Sequence, residues 1–148
     1  MQRFYSEENA ADFALHEYDY VVDAIDSLSS KAALILHATS LGVKLFSSMG
    51  AALKMDPTAV RAAEFWKVQG CPLARALRQR FKKHKTMPRR KFLCVYSEEL
   101  LPNLGGLHDE TASGEAAQVV THGNGSVAHI TAIYGFMIAG LLLKDLEG

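Results

Sequence analysis

A short apolar strand that ends in two acids is the feature that most constrains this chain. Residues 18–31 read YDYVVDAIDSLSSK, and the β-branched and aromatic run inside them is typical of a strand buried in a parallel sheet. Asp23 and Asp26 lie at its end, and Ser27 is a good N-cap for a following helix. Ligands of open α/β sheets bind at the carboxyl ends of the strands, so Asp26 is a candidate functional residue. The alternative is that Asp26 only caps a helix and Asp23 closes a turn.

Two further strands and a helix can be placed after this motif. Residues 43–48 (VKLFSS) and 92–96 (FLCVY) are apolar enough for strands of a buried sheet, and residues 72–81 carry apolar side chains at a helical spacing behind a proline. Gly50 follows the first of these strands, among small residues that let a ligand approach the backbone closely. The alternation of strands and helices predicts an α/β fold, which we expect to occupy residues 1–148 as a single domain.

The two ends of the chain and one glycine-rich segment predict further elements. Ser6 is expected to cap a helix through Leu15. Residues 103–125 have no helical or strand period, so a flexible loop is predicted there. The apolar segment 126–143 is shorter than the roughly 20 residues that a membrane span prefers, and we expect a buried helix in which Gly135 and Gly140 allow close packing. With an acidic N-terminus that lacks an apolar signal region, the chain is expected to be cytoplasmic and to have no membrane partner.

Positive charge is concentrated in one part of the sequence. The chain has 16 Lys and Arg against 16 Asp and Glu, yet nine of the basic residues fall between positions 75 and 91. Such a concentration is what contact with a phosphate backbone requires. The predicted nucleic-acid-binding residues are Arg75, Arg78, Lys82, Lys83, Arg89, Arg90 and Lys91. The alternative is a solvated basic face on a soluble protein.

Several chemistries find no support in the sequence. Cys71 and Cys94 lie too far apart in the chain to suggest a disulfide framework or a thiolate zinc site. A Gly-x-Ser-x-Gly elbow, the usual setting of a nucleophilic serine in α/β hydrolases, is absent. Hydrolysis through an activated serine or cysteine is therefore the least favoured class of function.

Three motifs together resemble a known family. Asp23-x-x-Asp26-Ser27, Asp56-Pro57-Thr58 and Cys71-Pro72-Leu73 stand in the order and approximate spacing found in the HesA/MoeB/ThiF family, the ubiquitin-activating-like enzymes that adenylate a carboxylate with ATP. The second and third motifs most resemble the branch that dehydrates threonylcarbamoyl-adenosine in tRNA to a cyclic form. The family's N-terminal Gly-rich half has no counterpart in this sequence. The resemblance therefore implies the C-terminal portion of a Rossmann-like ThiF/MoeB adenylating fold. It also favours a strand over residues 59–66, where the Ala-rich composition alone favours a helix.

The resemblance also implies roles for individual residues. Asp26 would be catalytic and would hold Mg²⁺ on ATP, while Lys31 and Gly50 would lie near the nucleotide. Lys31 also has a simpler interpretation, a solvated lysine on a helix face. Because the Gly-rich phosphate loop is missing, this chain alone is expected to be inactive and to bind ATP and Mg²⁺ weakly. The partner that the resemblance implies is tRNA. Half of a doubly wound fold would also expose the sheet edge and helix faces that its other half should cover, so we expect a homo-oligomer, with a dimer as the favoured state and residues 126–143 near the interface.

A second class of function stays open at this point. The same sequence could be a non-catalytic module derived from the adenylating fold, which serves in dimerisation or in nucleic-acid binding. The missing Gly-rich half favours this alternative, whereas the acids at the strand end favour the enzyme.

Overall fold

A four-stranded sheet organises the protein. The computed structural model describes residues 3–102 and 125–148. Its strands and helices are, in chain order, β1 (Tyr20–Asp23), α1 (Leu28–Leu41), β2 (Lys44–Ser48), β3 (Val60–Glu64), α2 (Pro72–Lys83), β4 (Leu93–Ser97) and α3 (Ala128–Leu146). The strand order is β1-β2-β4-β3, in which β1, β2 and β4 are parallel and β3 is antiparallel to β4. The predicted α/β fold is confirmed, as is the strand that the family resemblance implied near residues 59–66.

The sheet is covered by helices on both faces, and alternate residues of its central strands face opposite layers. Leu45 and Cys94 belong to the larger core, which α1 and α2 share with the sheet. Their neighbours Phe46 and Val95 belong to a smaller core under α3. This period of two is the normal consequence of the pleat. Cys94 has no solvent exposure, and burial raises the pKa of its thiol, so it behaves as a small apolar residue.

The helix predicted from Ser6 to Leu15 is wrong. The segment instead forms two short 3₁₀ turns, Ala10–Asp12 and Leu15–Glu17. The Asn9 side chain accepts a hydrogen bond from the Ser6 N–H at 2.8 Å and donates one to the Phe4 carbonyl at 2.8 Å. Asparagine side chains that bond the neighbouring backbone in this way compete with helix formation.

The buried character predicted for the C-terminal helix is correct on one face only. Ile130, Tyr134 and Ile138, one helical turn apart, are the buried residues of α3. Gly135 and Gly140 contact nothing within 4 Å at the position of a Cβ atom, so they do not pack closely against the described part of the sheet. Close packing of these glycines against a partner subunit, the other alternative, stays a prediction. Within residues 3–102 and 125–148, α3 is the helix that is long and apolar enough to cross a membrane, and 17% of its most apolar window is buried.

A polar contact fixes the far end of α3 to the sheet. Asp145 accepts hydrogen bonds from the Lys44 ammonium at 2.5 Å and from the Tyr20 hydroxyl at 2.6 Å. These two donors hold the pKa of the Asp145 carboxyl below its usual value. The flexible loop predicted at residues 103–125 lies, apart from Gly125, outside the described residues.

Candidate functional site

A cleft at the carboxyl ends of β1 and β2 brings together two of the sequence-predicted site residues. It has a volume of about 470 Å³, and both Asp26 and Gly50 line it. Leu73 of α2 and Tyr134 of α3 form other parts of its wall, so both helical layers contribute to the site. Asp26 is exposed to solvent. A carboxylate at this edge of a parallel sheet has the position that ligand-binding groups occupy in open α/β folds.

The wall around Gly50 is held by side chains from neighbouring elements. The Tyr134 hydroxyl donates a hydrogen bond to the Gly50 carbonyl at 3.3 Å, and burial raises the pKa of this phenol. A Cβ atom added to Gly50 would lie 3.6 Å from the Leu73 Cβ, an ordinary van der Waals contact. Packing within the protein therefore does not require glycine here, and the open surface that it leaves faces the cleft.

Lys31 lies beneath the cleft rather than in it. Its side chain has no solvent exposure, and its ammonium lies 2.8 Å from the equally buried Asp23 carboxylate. The same ammonium donates a hydrogen bond to the Ile25 carbonyl at 3.1 Å. The interpretation as a solvated lysine is wrong, and all of the contacts described for the ammonium are internal. We therefore no longer expect Lys31 to contact a nucleotide directly.

Asp23 is the centre of this buried cluster. Besides Lys31, its carboxylate accepts hydrogen bonds from the Ser47 hydroxyl at 2.5 Å and from the Ile25 N–H at 3.0 Å. The cluster joins the end of β1, the end of β2 and the first turn of α1. It also fixes the backbone of Ile25, the residue before Asp26, so the turn that carries Asp26 is held from below.

A second polar cluster, which the sequence did not predict, supports the loop after Gly50. Lys54 is almost fully buried, and its ammonium donates hydrogen bonds to the carbonyls of Ser97, at 3.0 Å, and Glu99. The Glu99 carboxylate in turn accepts hydrogen bonds from the N–H groups of Met55 and Asp56 at 2.8 and 2.9 Å. Burial lowers the pKa of Lys54. No local sequence pattern indicates this cluster, because its members come from two loops far apart in the chain.

The basic stretch divides into two groups in the structure. Arg78 donates two hydrogen bonds from one guanidinium nitrogen to the Phe65 and Val68 carbonyls, each at 3.0 Å, and its guanidinium lies over the Phe65 ring. Arg78 therefore supports the fold, and its guanidinium is not placed to bind a nucleic acid as predicted. The remaining members are exposed: Arg75, Lys82, Lys83, Arg89, Arg90 and Lys91. Arg90 also contacts the Gly42 carbonyl at 3.4 Å.

The metal-binding capacity of the site rests on few ligands. Among the described residues there is no group of three or more His, Cys, Asp or Glu side chains that could hold a metal ion. Mg²⁺ is commonly bound by one or two carboxylates together with substrate phosphates. A single exposed carboxylate such as Asp26 fits that mode of binding and does not fit a closed, all-protein metal site.

The sheet, its helical layers and the position of the cleft define the class of fold. A mostly parallel sheet with helices on both faces and a cleft at the carboxyl ends of its parallel strands is part of a Rossmann-like fold. No protein-family model matches the chain. Relatives are nevertheless found: tRNA threonylcarbamoyladenosine dehydratase of Escherichia coli is 31% identical over 97% of this chain, and that of Haemophilus influenzae is also 31% identical over 97%.

Solved structures agree with these relatives. The E. coli tRNA N6-threonylcarbamoyladenosine dehydratase TcdA in complex with AMP matches 99% of this chain with a TM-score of 0.76 and 29% identity. The same enzyme in complex with ATP matches with a TM-score of 0.76 and 28% identity. The chain is thus related to the ThiF/MoeB-family tRNA threonylcarbamoyladenosine dehydratases and corresponds to their C-terminal part. It spans 57% and 56% of the length of the two curated relatives.

Proposed function

We propose that this chain is the C-terminal lobe of an ATP-dependent enzyme that activates a carboxylate, and that its substrate is threonylcarbamoyladenosine in tRNA. The observation that carries the proposal is the cleft shared by Asp26 and Gly50 at the carboxyl edge of the sheet. The relatives named as tRNA threonylcarbamoyladenosine dehydratases, and the AMP and ATP complexes of TcdA, support a nucleotide-dependent reaction on tRNA.

The chemistry proposed for the cleft is adenylation followed by ring closure. A carboxylate oxygen of the threonylcarbamoyl group attacks the α-phosphorus of ATP, and pyrophosphate leaves. A nucleophilic atom of the same modified nucleoside then attacks the activated carbonyl carbon, and the bond from that carbon to AMP breaks. The net result of the two steps is that the nucleoside loses one water and becomes cyclic. Asp26 would hold Mg²⁺ on the phosphates, where the metal offsets the negative charge that develops during attack.

The first prediction concerns nucleotide binding by the chain itself. The isolated chain is expected to bind ATP·Mg²⁺ weakly or not at all, because its sequence has no Gly-x-Gly-x-x-Gly turn, the motif that cradles phosphates with backbone N–H groups. Addition of the N-terminal part of the E. coli relative, which lies outside the match, should restore binding. Isothermal titration calorimetry with and without that part measures the difference.

Two controls make the calorimetry decisive. The N-terminal part alone should bind ATP less tightly than the combined protein, because Asp26 completes the metal site. Asp26→Asn in the combined protein should weaken binding of ATP with Mg²⁺ more than binding of ATP with EDTA. Micromolar binding of ATP by the isolated chain would show that its phosphate site has been placed in the wrong half.

We further propose that the chain forms a dimer through α3. Its outward residues Phe136, Leu143 and Leu146 are 76%, 60% and 59% exposed, a contiguous apolar surface of the kind that marks an interface. The inward residues of α3 pack on the sheet, which favours a soluble helix with a protein partner over a membrane span. A cytoplasmic location and the lack of a membrane partner remain predictions of this account.

Oligomeric state tests this second prediction. Phe136→Glu/Leu143→Glu should convert a dimer into a monomer, because two charges would be buried in the apolar interface. The control is Gln69→Glu/Gln79→Glu, which adds the same charge at two exposed positions away from α3. Multi-angle light scattering over a wide range of protein concentration gives the mass. A monomeric parent, or a parent recovered only with membranes, would contradict the proposal.

A further inference from the structure

A second and larger cleft, lined by a different set of the described residues, lies against α1. This groove has a volume of about 710 Å³ and runs between the outer side of α1, the C-terminal end of α2 and the segment after α2. We call it the α1–α2 groove. Its α1 wall extends from Ser29 to Ser40, a length of about 16 Å at the helical rise of about 1.5 Å per residue. Nothing in the proposed adenylation chemistry uses it.

The groove is lined by positive charge and imidazole rings. Arg80 and Arg89 line it together with His37 and His84, and Glu7 is the single acid among its lining residues that the structure describes. Its floor includes the apolar side chains of Ala32, Leu36 and the fully buried Phe81. Arginine presents several donors in a planar fork, which suits bidentate recognition of phosphate oxygens.

The backbone fixes the basic wall in place. Lys85 has the positive φ of 53° that non-glycine residues seldom adopt, and it turns the chain back along the end of α2. The Thr86 N–H then bonds the Phe81 carbonyl at 3.0 Å, and the Arg89 N–H bonds the Thr39 hydroxyl at 3.3 Å. These contacts hold Arg89 against α1. The backbone that carries Arg89 is therefore fixed by hydrogen bonds to α1 and to the end of α2.

One end of the groove lies near the sheet-edge cleft, at the start of α1. Ser29 lines the groove and Asp26 lines the cleft, and these two residues flank the start of α1 three positions apart. A strand lying in the groove would therefore reach the cleft by passing the N-terminal end of α1. Enzymes that act on a base extrude the target nucleotide from its stack into a pocket, and a neighbouring groove that holds the flanking backbone is the geometry such a step needs.

We infer that the α1–α2 groove binds the phosphodiester backbone of RNA a few nucleotides away from the one that enters the sheet-edge cleft. The contacts are made by Arg80 and by Arg89, which is held beside Thr39 near the C-terminal end of α1. The inference rests on the proposed function for the identity of the RNA. It does not depend on ATP or on the modified base, because phosphate contacts position a nucleic acid without reading its sequence. The inference also gives Arg80 a role in binding RNA, although Arg80 is not among the nucleic-acid-binding residues predicted from the sequence.

Binding of bulk tRNA, followed by fluorescence anisotropy at several salt concentrations, tests the inference on the chain as it exists. Arg80→Gln/Arg89→Gln should weaken binding about tenfold or more near 0.1 M salt. The salt dependence of log K should also become shallower by about 1.4 to 1.8, since each neutralised phosphate contributes about 0.7 to 0.9. The matched control is Arg61→Gln/Lys67→Gln, which removes the same charge from exposed positions at the β3 side of the sheet and should leave the slope unchanged.

A second pair of variants separates binding from folding. Ser29→Glu places an acid in the first turn of α1, where it favours the helix, yet it should repel phosphate at the mouth of the groove and weaken tRNA binding severalfold. Ser30→Glu adds the same charge one residue further along the helix, outside the groove lining, and should have a smaller effect. Equal losses in each pair, or no tRNA binding by the parent, would overturn the inference.

Failure of the groove and failure of the proposed function give different results. Suppose that the groove variants lose tRNA binding while the combined protein shows no dehydration. The inference that the groove binds RNA is then confirmed, and the proposed dehydration reaction is wrong. If dehydration proceeds at the parental rate in Arg80→Gln/Arg89→Gln, the proposed reaction is confirmed and the inference that the groove binds RNA is wrong.

Discussion

Replacement of Lys31 by Met is expected to lower the free energy of unfolding by about 3–5 kcal/mol. Lys31 and Asp23 form an ion pair at 2.8 Å with no solvent exposure on either side chain. Removal of the ammonium leaves the Asp23 carboxylate buried without an opposite charge, and this desolvation penalty, rather than the loss of one contact, sets the size of the effect. Since domains are typically stable by about 5–15 kcal/mol, the loss is a large fraction of the total.

Chemical denaturation followed by circular dichroism measures this effect. Lys82→Met, at an exposed lysine of α2, is the matched control and should change stability by no more than about 0.5 kcal/mol. Asp23→Asn/Lys31→Met removes both charges and should recover part of the loss, because the amide oxygen introduced by the first substitution can still accept from Ser47 and from the Ile25 N–H. A Lys31→Met protein within about 1 kcal/mol of the parent would show that the pair is not buried as described.

The position of the cleft was predictable, because it depends on sheet geometry. Asp26 follows a strand whose apolar pattern is clear, and ligand sites of α/β sheets lie at the carboxyl ends of strands. The same rule places Gly50 beside it, although the two are 24 positions apart in the sequence. The resemblance to the adenylating family added the chemistry and the implied role of Asp26 on Mg²⁺, which no periodicity could supply.

Charge alone did not predict which basic side chains are buried in the fold and which are exposed. Lys31 shares a helix face with Ile35 and Ala38, which are buried, and that spacing was an available signal that its side chain points inward. Arg78 lies beside the apolar face of α2, and its carbonyl partners come from a loop that local sequence does not bring to it. Long-range partners decide whether a lysine or arginine supports the fold or faces a ligand.

The outward face of α3 shows a different limit. Its sequence is apolar on all sides, so the pattern predicted burial but not which residues would contact the sheet. Three residues one turn apart do so, whereas Phe136 is exposed. Only the tertiary structure distinguishes the covered stripe from the surface that we assign to a partner.

Loss of the Asp26 carboxylate is expected to have the largest effect on activity. In the protein combined with the N-terminal part of its E. coli relative, Asp26→Asn should slow the reaction on tRNA by about 100-fold or more, because the charge that develops on the phosphates would lose its metal ligand. Asp19→Asn is the matched control. Asp19 is an exposed acid that lies before the amino end of β1, at the opposite end of the strand from the cleft, and its replacement should leave the rate unchanged.

We propose that this lobe forms the active cleft of an enzyme that dehydrates threonylcarbamoyladenosine in tRNA. The most direct test digests tRNA after incubation with ATP, Mg²⁺ and the combined protein, and follows the modified nucleoside by mass spectrometry. We expect loss of one water from threonylcarbamoyladenosine, dependent on ATP, retained in Asp19→Asn and abolished in Asp26→Asn. Unchanged nucleoside with every form of the protein, or full conversion by Asp26→Asn, would contradict the account.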